Sequence, residues 1–173
     1  MKTKNLEKYF NSFGKQVVNR AKGILNKKKG GGTNLAQSIK FKVSKDSRGN
    51  LTIKFTMADY GKYVDKGVSG TQQKQKFVDY KGKSLTSPFK YTTKQPPTGI
   101  LDKWVVKKGI APRDERGRFV SRKSLVYLIA RSIKLKGIKS LAFFQKPLGL
   151  GLKQFGKKML GGLKKDIEDI INI

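Results

Sequence analysis

The chain has 173 residues, and its 40 lysines and arginines against 11 aspartates and glutamates give it a formal net charge of +29. Hydrophobic residues make up 36%, less than the about 45–50% of globular domains, yet an aromatic content of 10% is too high for a purely disordered tail. The composition argues against a neutral cytosolic enzyme and predicts one modest core with basic extensions, in a single α+β domain over residues 1–173.

Cysteine and histidine are both absent. Without thiolate and imidazole ligands this chain alone builds no ordinary zinc, heme or iron–sulfur site, so we expect no cofactor. Histidine acid–base catalysis and cysteine nucleophiles are excluded for the same reason. The first ten residues contain no apolar signal segment, and no run approaches 18 apolar residues, so we predict no membrane partner.

The first segment has the spacing of an amphipathic helix. Apolar residues from Leu6 to Ile24 recur every three or four positions, and the remaining positions are polar and largely basic. We expect the helix to end at Lys27–Lys29, before the glycines at 30–32. Such a stripe could lie on an anionic membrane, but packing on a core is its commoner use.

The next segment has the alternation of apolar and polar residues that is typical of β-strands. Apolar and polar side chains alternate over residues 39–44 and again over 51–57, and the intervening Asp46–Asn50 segment is rich in turn residues. This pattern predicts a β-hairpin with one apolar and one basic face. Because an isolated hairpin is only marginally stable, we expect the first helix to cover its apolar face.

The segment from residue 59 to residue 97 carries weaker signals. We expect a short ordered piece at Tyr60–Val64, a long polar loop from Gly67 to Lys76, and a strand near Phe77–Tyr80. Prolines at 88, 96 and 97 exclude a helix interior there.

The sequence pattern of the C-terminal half predicts helices. Thr98 is expected to cap a short helix that ends at Lys107–Gly109, and a charged turn at 111–119 precedes a second helix capped by Ser121 and stopped by Gly137.

A last helix is expected from Leu148 onward, after a buried strand or tight connection at 141–144. It contains five glycines, each costing roughly 1 kcal/mol in a helix interior. These either permit close approach of another backbone or give flexibility, and the sequence leaves both open.

The 11 acidic residues are few enough to be considered one by one. Asp65 followed by Asp79-Tyr80-Lys81 weakly resembles the spacing of restriction-type nucleases, in which carboxylates hold Mg²⁺. In a lysine-rich chain this spacing arises easily by chance, and surface ion pairing is the simpler interpretation. No phosphate-binding loop and no Gly-x-Ser-x-Gly elbow is present. We therefore predict that the chain is not an enzyme.

The distribution of charge is uneven. Between Arg116 and Lys165 there are fourteen basic residues and no acid, whereas Asp166, Glu168 and Asp169 crowd the end. Such a stretch predicts contact with a polyanion, nucleic acid first, although a solvated surface would look the same. No zinc finger, basic zipper or helix-turn-helix pattern indicates sequence-specific binding. The candidate contacts are Lys27, Lys28, Lys29, Arg113, Arg116, Arg118, Arg122 and Lys123.

The segment from Asp59 to Thr71, DYGKYVDKGVSGT, resembles the small tail-component or tail-completion proteins of tailed bacteriophages. That family shows a Tyr-x-x-Tyr/Phe-Val-acid-x-Gly stretch after a hairpin, and an amphipathic N-terminal helix precedes the hairpin. The resemblance extends over about residues 1–95.

The resemblance implies a subunit of a homo-oligomeric ring in the virion, at the head–tail connector or neck, assembled in the host cytoplasm. Its neighbours would be the portal or adaptor proteins or the tail tube, and no catalytic residues are implied. Tyr60, Tyr63, Val64, Asp65 and Gly67 would then shape the fold or the ring contact. The basic C-terminal half would face packaged double-stranded DNA or acidic subunits. A nonspecific nucleic-acid-binding protein is the alternative supported by charge alone.

Overall fold

The computed structural model describes residues 4–29, 33–111 and 113–171. The chain divides into two compact units, and the expected single domain with a C-terminal helical extension stays a prediction. The first unit comprises Met1–Asp65, Val78–Ser84 and Ala142–Ile173, and the second comprises Lys66–Phe77 and Leu85–Leu141. Both contain helices and short antiparallel strands, which confirms the α+β class.

The first unit is built on helix α1, Lys4–Lys29. Phe10, Phe13, Val17 and Ala21 are buried along one face, as the spacing predicted. At the end of the stripe the prediction was wrong by one residue, because Leu25 is buried and the expected Ile24 is only half-buried. The predicted glycine stop at 30–32 lies outside the described residues. A short helix α2, Asn34–Ser38, follows and is capped by the Thr33 hydroxyl, which accepts a hydrogen bond from Ala36 N at 3.2 Å.

The predicted hairpin is confirmed. Strands β1, Lys40–Lys45, and β2, Leu51–Thr56, pair antiparallel with Phe41 opposite Phe55. Helix α1 packs on this hairpin, and the rings of Phe13 and Phe55 lie 6.5 Å apart in edge-on contact. The arrangement matches the expected helix on a small antiparallel sheet.

Helix α3, Gly61–Lys66, corresponds to the predicted ordered piece. Three short strands follow: β3, Val68–Ser69, β4, Lys76–Val78, and β5, Ser84–Thr86. The prediction of an uninterrupted loop from Gly67 to Lys76 was wrong at its start. There β3 is buried, and the Ser69 hydroxyl accepts a hydrogen bond from Gln75 N at 3.0 Å, so a polar sequence is buried with its groups satisfied.

The second unit centres on helices α4, Thr98–Lys107, and α5, Arg122–Lys136, which pack on each other. Thr98 is not the predicted cap. It is the first helical residue, and Pro97, whose fixed φ suits the start of a helix, occupies the cap position without a side-chain hydrogen bond.

Helix α5 begins and ends as predicted. The Ser121 hydroxyl accepts a hydrogen bond from Ser124 N, and Gly137 ends the helix with a φ of +81°. Gly137 then enters the two-residue strand β6, Gly137–Ile138, which pairs antiparallel with β3.

The C-terminal segment of the first unit forms two helices rather than the single one predicted, α6, Gln145–Leu152, and α7, Phe155–Ile171. Residues 141–144 form the tight connection and not a strand. Close approach of another part of the chain, one of the two expected uses of the glycines, applies to two of them. Gly149 lies against the backbone of Tyr80 and Gly151 against the ring of Phe13, whereas Gly156 and Gly161 face open space.

Helix α7 is fixed to α1 at both of its ends. The ring centroid of Phe155 lies 5.5 Å from that of Tyr9, 5.4 Å from Phe10 and 4.9 Å from Phe13. Near the other end, Asp166 binds the first turn of α1. Within the part of the chain described, no helix is long and apolar enough to cross a membrane.

Candidate functional site

Asp65 in the resemblance segment has a structural role in the first unit. Its side chain is 3% exposed, and its Oδ1 accepts hydrogen bonds from Phe144 N at 2.8 Å and Gln145 N at 3.4 Å. Those amides stand at the start of α6, where the helix itself offers no partner. Asp65 also accepts a hydrogen bond from Ala142 N through its backbone oxygen, at 3.0 Å. One acid therefore fixes the turn that leads into α6.

Gly67 is structural in the second unit. Its φ is +72°, a conformation that residues with a side chain rarely adopt. A Cβ atom there would stand 2.7 Å from Ile138 O and 2.8 Å from Ser140 N. The position thus requires glycine for both conformation and space.

The two tyrosines of the segment are exposed. Tyr60 is 48% and Tyr63 is 40% accessible, while Val64 is half-buried. The Lys62 ammonium lies 5.2 Å from the centre of the Tyr63 ring. Of the five candidates in the segment that carries the resemblance, Asp65 and Gly67 have internal roles, and Tyr60 and Tyr63 have exposed rings.

Three turns among the described residues share the same hydrogen-bonding pattern. They lie at Asp46–Asn50, Asp79–Lys83 and Asp114–Arg118. In each, the aspartate Oδ1 accepts hydrogen bonds from the amides two and four residues later, at 2.8–3.0 Å. A glycine three residues after the aspartate has φ of +87°, +85° and +77° in the three turns. The sequence analysis did not single out this turn, although the Asp-x-Arg/Lys-Gly pattern at all three places is typical of it.

This turn bears on the nuclease interpretation. Asp79 and Lys81 belong to the second turn, in which the Asp79 carboxylate accepts a hydrogen bond from the backbone amide of Lys81 at 2.9 Å. Asp65 caps α6 as described above. The two carboxylates therefore bind backbone amides, and among the described residues no group of three acids is placed to hold a metal ion.

Three of the candidate cations lie in the third turn, which we call the arginine hairpin, residues 113–119. Arg113 donates to Gly117 O at 2.8 Å and lies 4.1 Å from the centre of the Phe119 ring. Arg118 pairs with Asp114 at 3.2 Å. Arg116 is exposed at the tip. The hairpin is therefore a preorganised basic tip with an aromatic ring that is 69% exposed.

The other candidates are more dispersed. Arg122 pairs with Asp102 at 2.8 Å, and Lys123 is exposed beside it in the first turn of α5. Lys27 and Lys28 are exposed at the end of α1 in the first unit, and the Lys29 side chain lies outside the described part. The structure therefore groups Arg113, Arg116 and Arg118 in one hairpin of the second unit.

No family model, curated protein or solved structure matches this chain.

Proposed function

We propose that the chain is a structural virion protein of a tailed bacteriophage, a ring-forming subunit at the head–tail connector or neck. The observation that carries the proposal is the exposure of Tyr60 and Tyr63 on a segment whose neighbouring Asp65 and Gly67 are fixed by the fold. Aromatic rings on a rigid support are typical of protein interfaces, because they bury a large area at a low cost in conformational entropy.

Further exposed apolar side chains support an assembly. In the second unit Ile100, Trp104 and Val106 of α4 and Tyr127 and Leu128 of α5 are all exposed. Single exposed apolar residues are ordinary, but several on two packed helices suit a surface that a neighbour covers. A ring built from head-to-tail contacts needs two such surfaces on each subunit.

The net charge of +29 gives the second line of support. Identical subunits with this charge repel one another, so a stable ring requires anions close by. On this proposal the basic surface faces packaged double-stranded DNA or acidic neighbouring subunits, and the chain is not an enzyme.

The interface is tested by Tyr60→Ala combined with Tyr63→Ala. Tyrosine is enriched among the few interface residues whose truncation to alanine costs about 2 kcal/mol or more. We therefore expect self-association, measured by sedimentation velocity, to weaken by about tenfold or more. The matched control is Tyr80→Ala, which removes a tyrosine of similar exposure, 42%, that lies outside the segment and outside helices α4 and α5. Equal effects of the two changes would contradict an interface at this segment.

The location is tested on virions. Gold-labelled antibody against this protein should decorate the neck or tail in negative-stain images. Absence of label there, with label present on the purified protein, would refute the proposed location.

The arginine hairpin favours a second candidate, a nonspecific nucleic-acid-binding protein. Its guanidinium groups suit phosphates, and an exposed phenylalanine can stack on an unpaired base. Tight binding of DNA by a monomer, with a steep loss of affinity on adding salt, would favour this candidate over the ring. Incubation of plasmid with Mg²⁺ tests the nuclease alternative, for which we expect the DNA to stay intact.

A further inference from the structure

The first unit contains a cleft of about 480 Å³ between α1 and the joint of α6 and α7. Phe13, Leu150 and Gly151 contribute its apolar lining. A Cβ atom at residue 151 would come within 2.6 Å of the Phe13 ring, so the glycine allows α6 to lie this close to α1. The volume is within the range of small-ligand sites, about 300–1,000 Å³.

The rest of the lining consists of hydrogen-bond donors. The Tyr9 hydroxyl donates a hydrogen bond to Phe155 O at 3.4 Å, and burial raises the pKa of this phenol above its ordinary value of 10.0. None of the described residues that line the cleft is an acid. The other donors are Ser12, Gln16, Arg20, Lys153, Gln154 and Lys158.

The three cations of the cleft form no ion pair within the described residues. An unpaired cation is ordinary in a chain with 40 basic and 11 acidic residues. What distinguishes Arg20, Lys153 and Lys158 is that they converge on one concave surface together with two side-chain amides.

We infer that this cleft binds phosphate groups, either those of a nucleic-acid backbone or those of a free nucleotide. Three positive charges exceed what a single carboxylate neutralises, and they suit a ligand that carries several negative charges. The guanidinium of Arg20 can bind two phosphate oxygens at once, and the lysines act as point charges beside it. The amides of Gln16 and Gln154 add neutral donors.

This inference goes beyond the proposed function and does not depend on it. A phosphate-binding cleft can exist whether or not the protein lies in a virion, so the labelling of virions and the binding experiment below can fail separately. Neither Tyr60 nor Tyr63 lines the cleft.

The test compares two triple variants with the same change in charge. Arg20→Gln, Lys153→Gln and Lys158→Gln remove the cleft cations. Lys8→Gln, Lys157→Gln and Lys165→Gln remove three exposed lysines from α1 and α7 that do not line the cleft. All six positions are exposed, so we expect both variants to fold, and circular dichroism checks this.

Affinity for a fluorescein-labelled 20-nucleotide single strand is measured by anisotropy between 50 and 300 mM NaCl. We expect the cleft variant to bind at least about tenfold more weakly than the control variant at 150 mM NaCl. Its slope of log affinity against log salt should also be shallower by about 2, because single strands lose about 0.7 per phosphate contact. Equal losses in the two variants would overturn the inference.

Calorimetry with pyrophosphate distinguishes the two sources of phosphate. One-site binding that the cleft variant loses and the control keeps would identify free phosphate compounds as ligands. Cleft-dependent DNA binding without pyrophosphate binding would identify the nucleic-acid backbone. Displacement of the labelled strand from the cleft by a glutamate-rich peptide, at the same charge concentration as unlabelled DNA, would overturn the assignment to phosphate and indicate an acidic protein.

Discussion

Asp166 connects two distant parts of the chain through a single side chain. It lies on α7, is nearly fully buried, and accepts hydrogen bonds from Asn5 N at 2.8 Å and Leu6 N at 3.0 Å. The first amides of a helix lack partners within the helix, and Asp166 supplies them for α1. The sequence showed only an acidic end, because a cap supplied from 161 residues away leaves no local pattern.

The ionisation of Asp166 is linked to stability. Burial alone would raise the pKa of its carboxyl group, but the hydrogen bonds from Asn5 and Leu6 outweigh burial and lower that pKa below its ordinary value of 3.8. The folded protein therefore binds this proton more weakly than the unfolded chain. The stabilisation is complete above the ordinary pKa and is lost as pH falls through the lower value of the folded state.

We predict that Asp166→Asn lowers the urea midpoint at pH 7 and that its difference from wild type shrinks as pH falls below about 4. The comparison is urea unfolding at pH 7, 5 and 3. Glu168→Gln is the control, since its exposed carboxylate forms a surface ion pair with Lys164 at 3.7 Å, and we expect it to stay within about 0.5 kcal/mol of wild type. If the urea midpoint of Asp166→Asn lay below that of wild type by the same amount at pH 7 and at pH 3, the linkage between ionisation and stability would be contradicted.

Gly117 shows the conformational requirement of the recurrent turn. Its φ is +77°, and nothing lies within 4 Å of where a Cβ would stand, so substitution changes conformation without a clash. We predict that Gly117→Ala destabilises the protein by about 1 kcal/mol, measured by urea unfolding. Gly99→Ala, in the first turn of α4 with equally open space, should be neutral or slightly stabilising. Equal effects would show that the left-handed backbone is not what selects glycine.

At the scale of elements, the sequence predicted what depends on local periodicity. Apolar residues recur regularly along helix α1 and along the β1–β2 hairpin, and each element buries the face that carries them. Both elements and their buried faces could therefore be predicted from the sequence. Strands β3 and β6 were not predicted, because two-residue strands have no period and exist only through their pairing. The break between α6 and α7 was also missed, since apolar spacing continues across Lys153 and Gln154.

The candidate site, too, could be predicted only in part from the sequence. The resemblance picked out Tyr60, Tyr63, Val64, Asp65 and Gly67 as one group, but it could not separate their roles. Asp65 caps α6 from 79 residues away, and Gly67 is confined by residues around position 140. Both facts depend on tertiary placement, which a short motif does not encode.

The glycines of α6 and α7 provide an element-scale prediction. Gly161 faces open space, so Gly161→Ala should stabilise α7 by about 0.5–1 kcal/mol through helix propensity. Gly151→Ala should destabilise the protein, because its Cβ would press on the Phe13 ring beneath. Thermal unfolding of the two variants measures whether each one is more or less stable than wild type. Stabilisation by Gly151→Ala would show that α6 does not lie as close to α1 as described.

At the scale of the whole molecule, charge sets the conditions under which copies can associate. Each copy of the chain carries a net charge of +29, so any two copies repel one another. The screening length falls from about 30 Å at 0.01 M salt to about 8 Å at 0.15 M. Repulsion between subunits therefore weakens as salt is added, whereas apolar contacts through exposed tyrosines do not.

We therefore predict that self-association strengthens between 20 and 300 mM NaCl, the opposite trend to DNA binding, which loses affinity as counterion release becomes less favourable. Sedimentation velocity at several salt concentrations measures the first trend and fluorescence anisotropy with labelled DNA measures the second. The Tyr60→Ala, Tyr63→Ala variant provides the control, because it should remain in smaller species at every salt concentration while its affinity for DNA is unchanged. Association that weakens with salt would mean that ion pairs hold the copies together. A chain that stays monomeric throughout while binding DNA tightly would favour the nucleic-acid-binding protein over the ring.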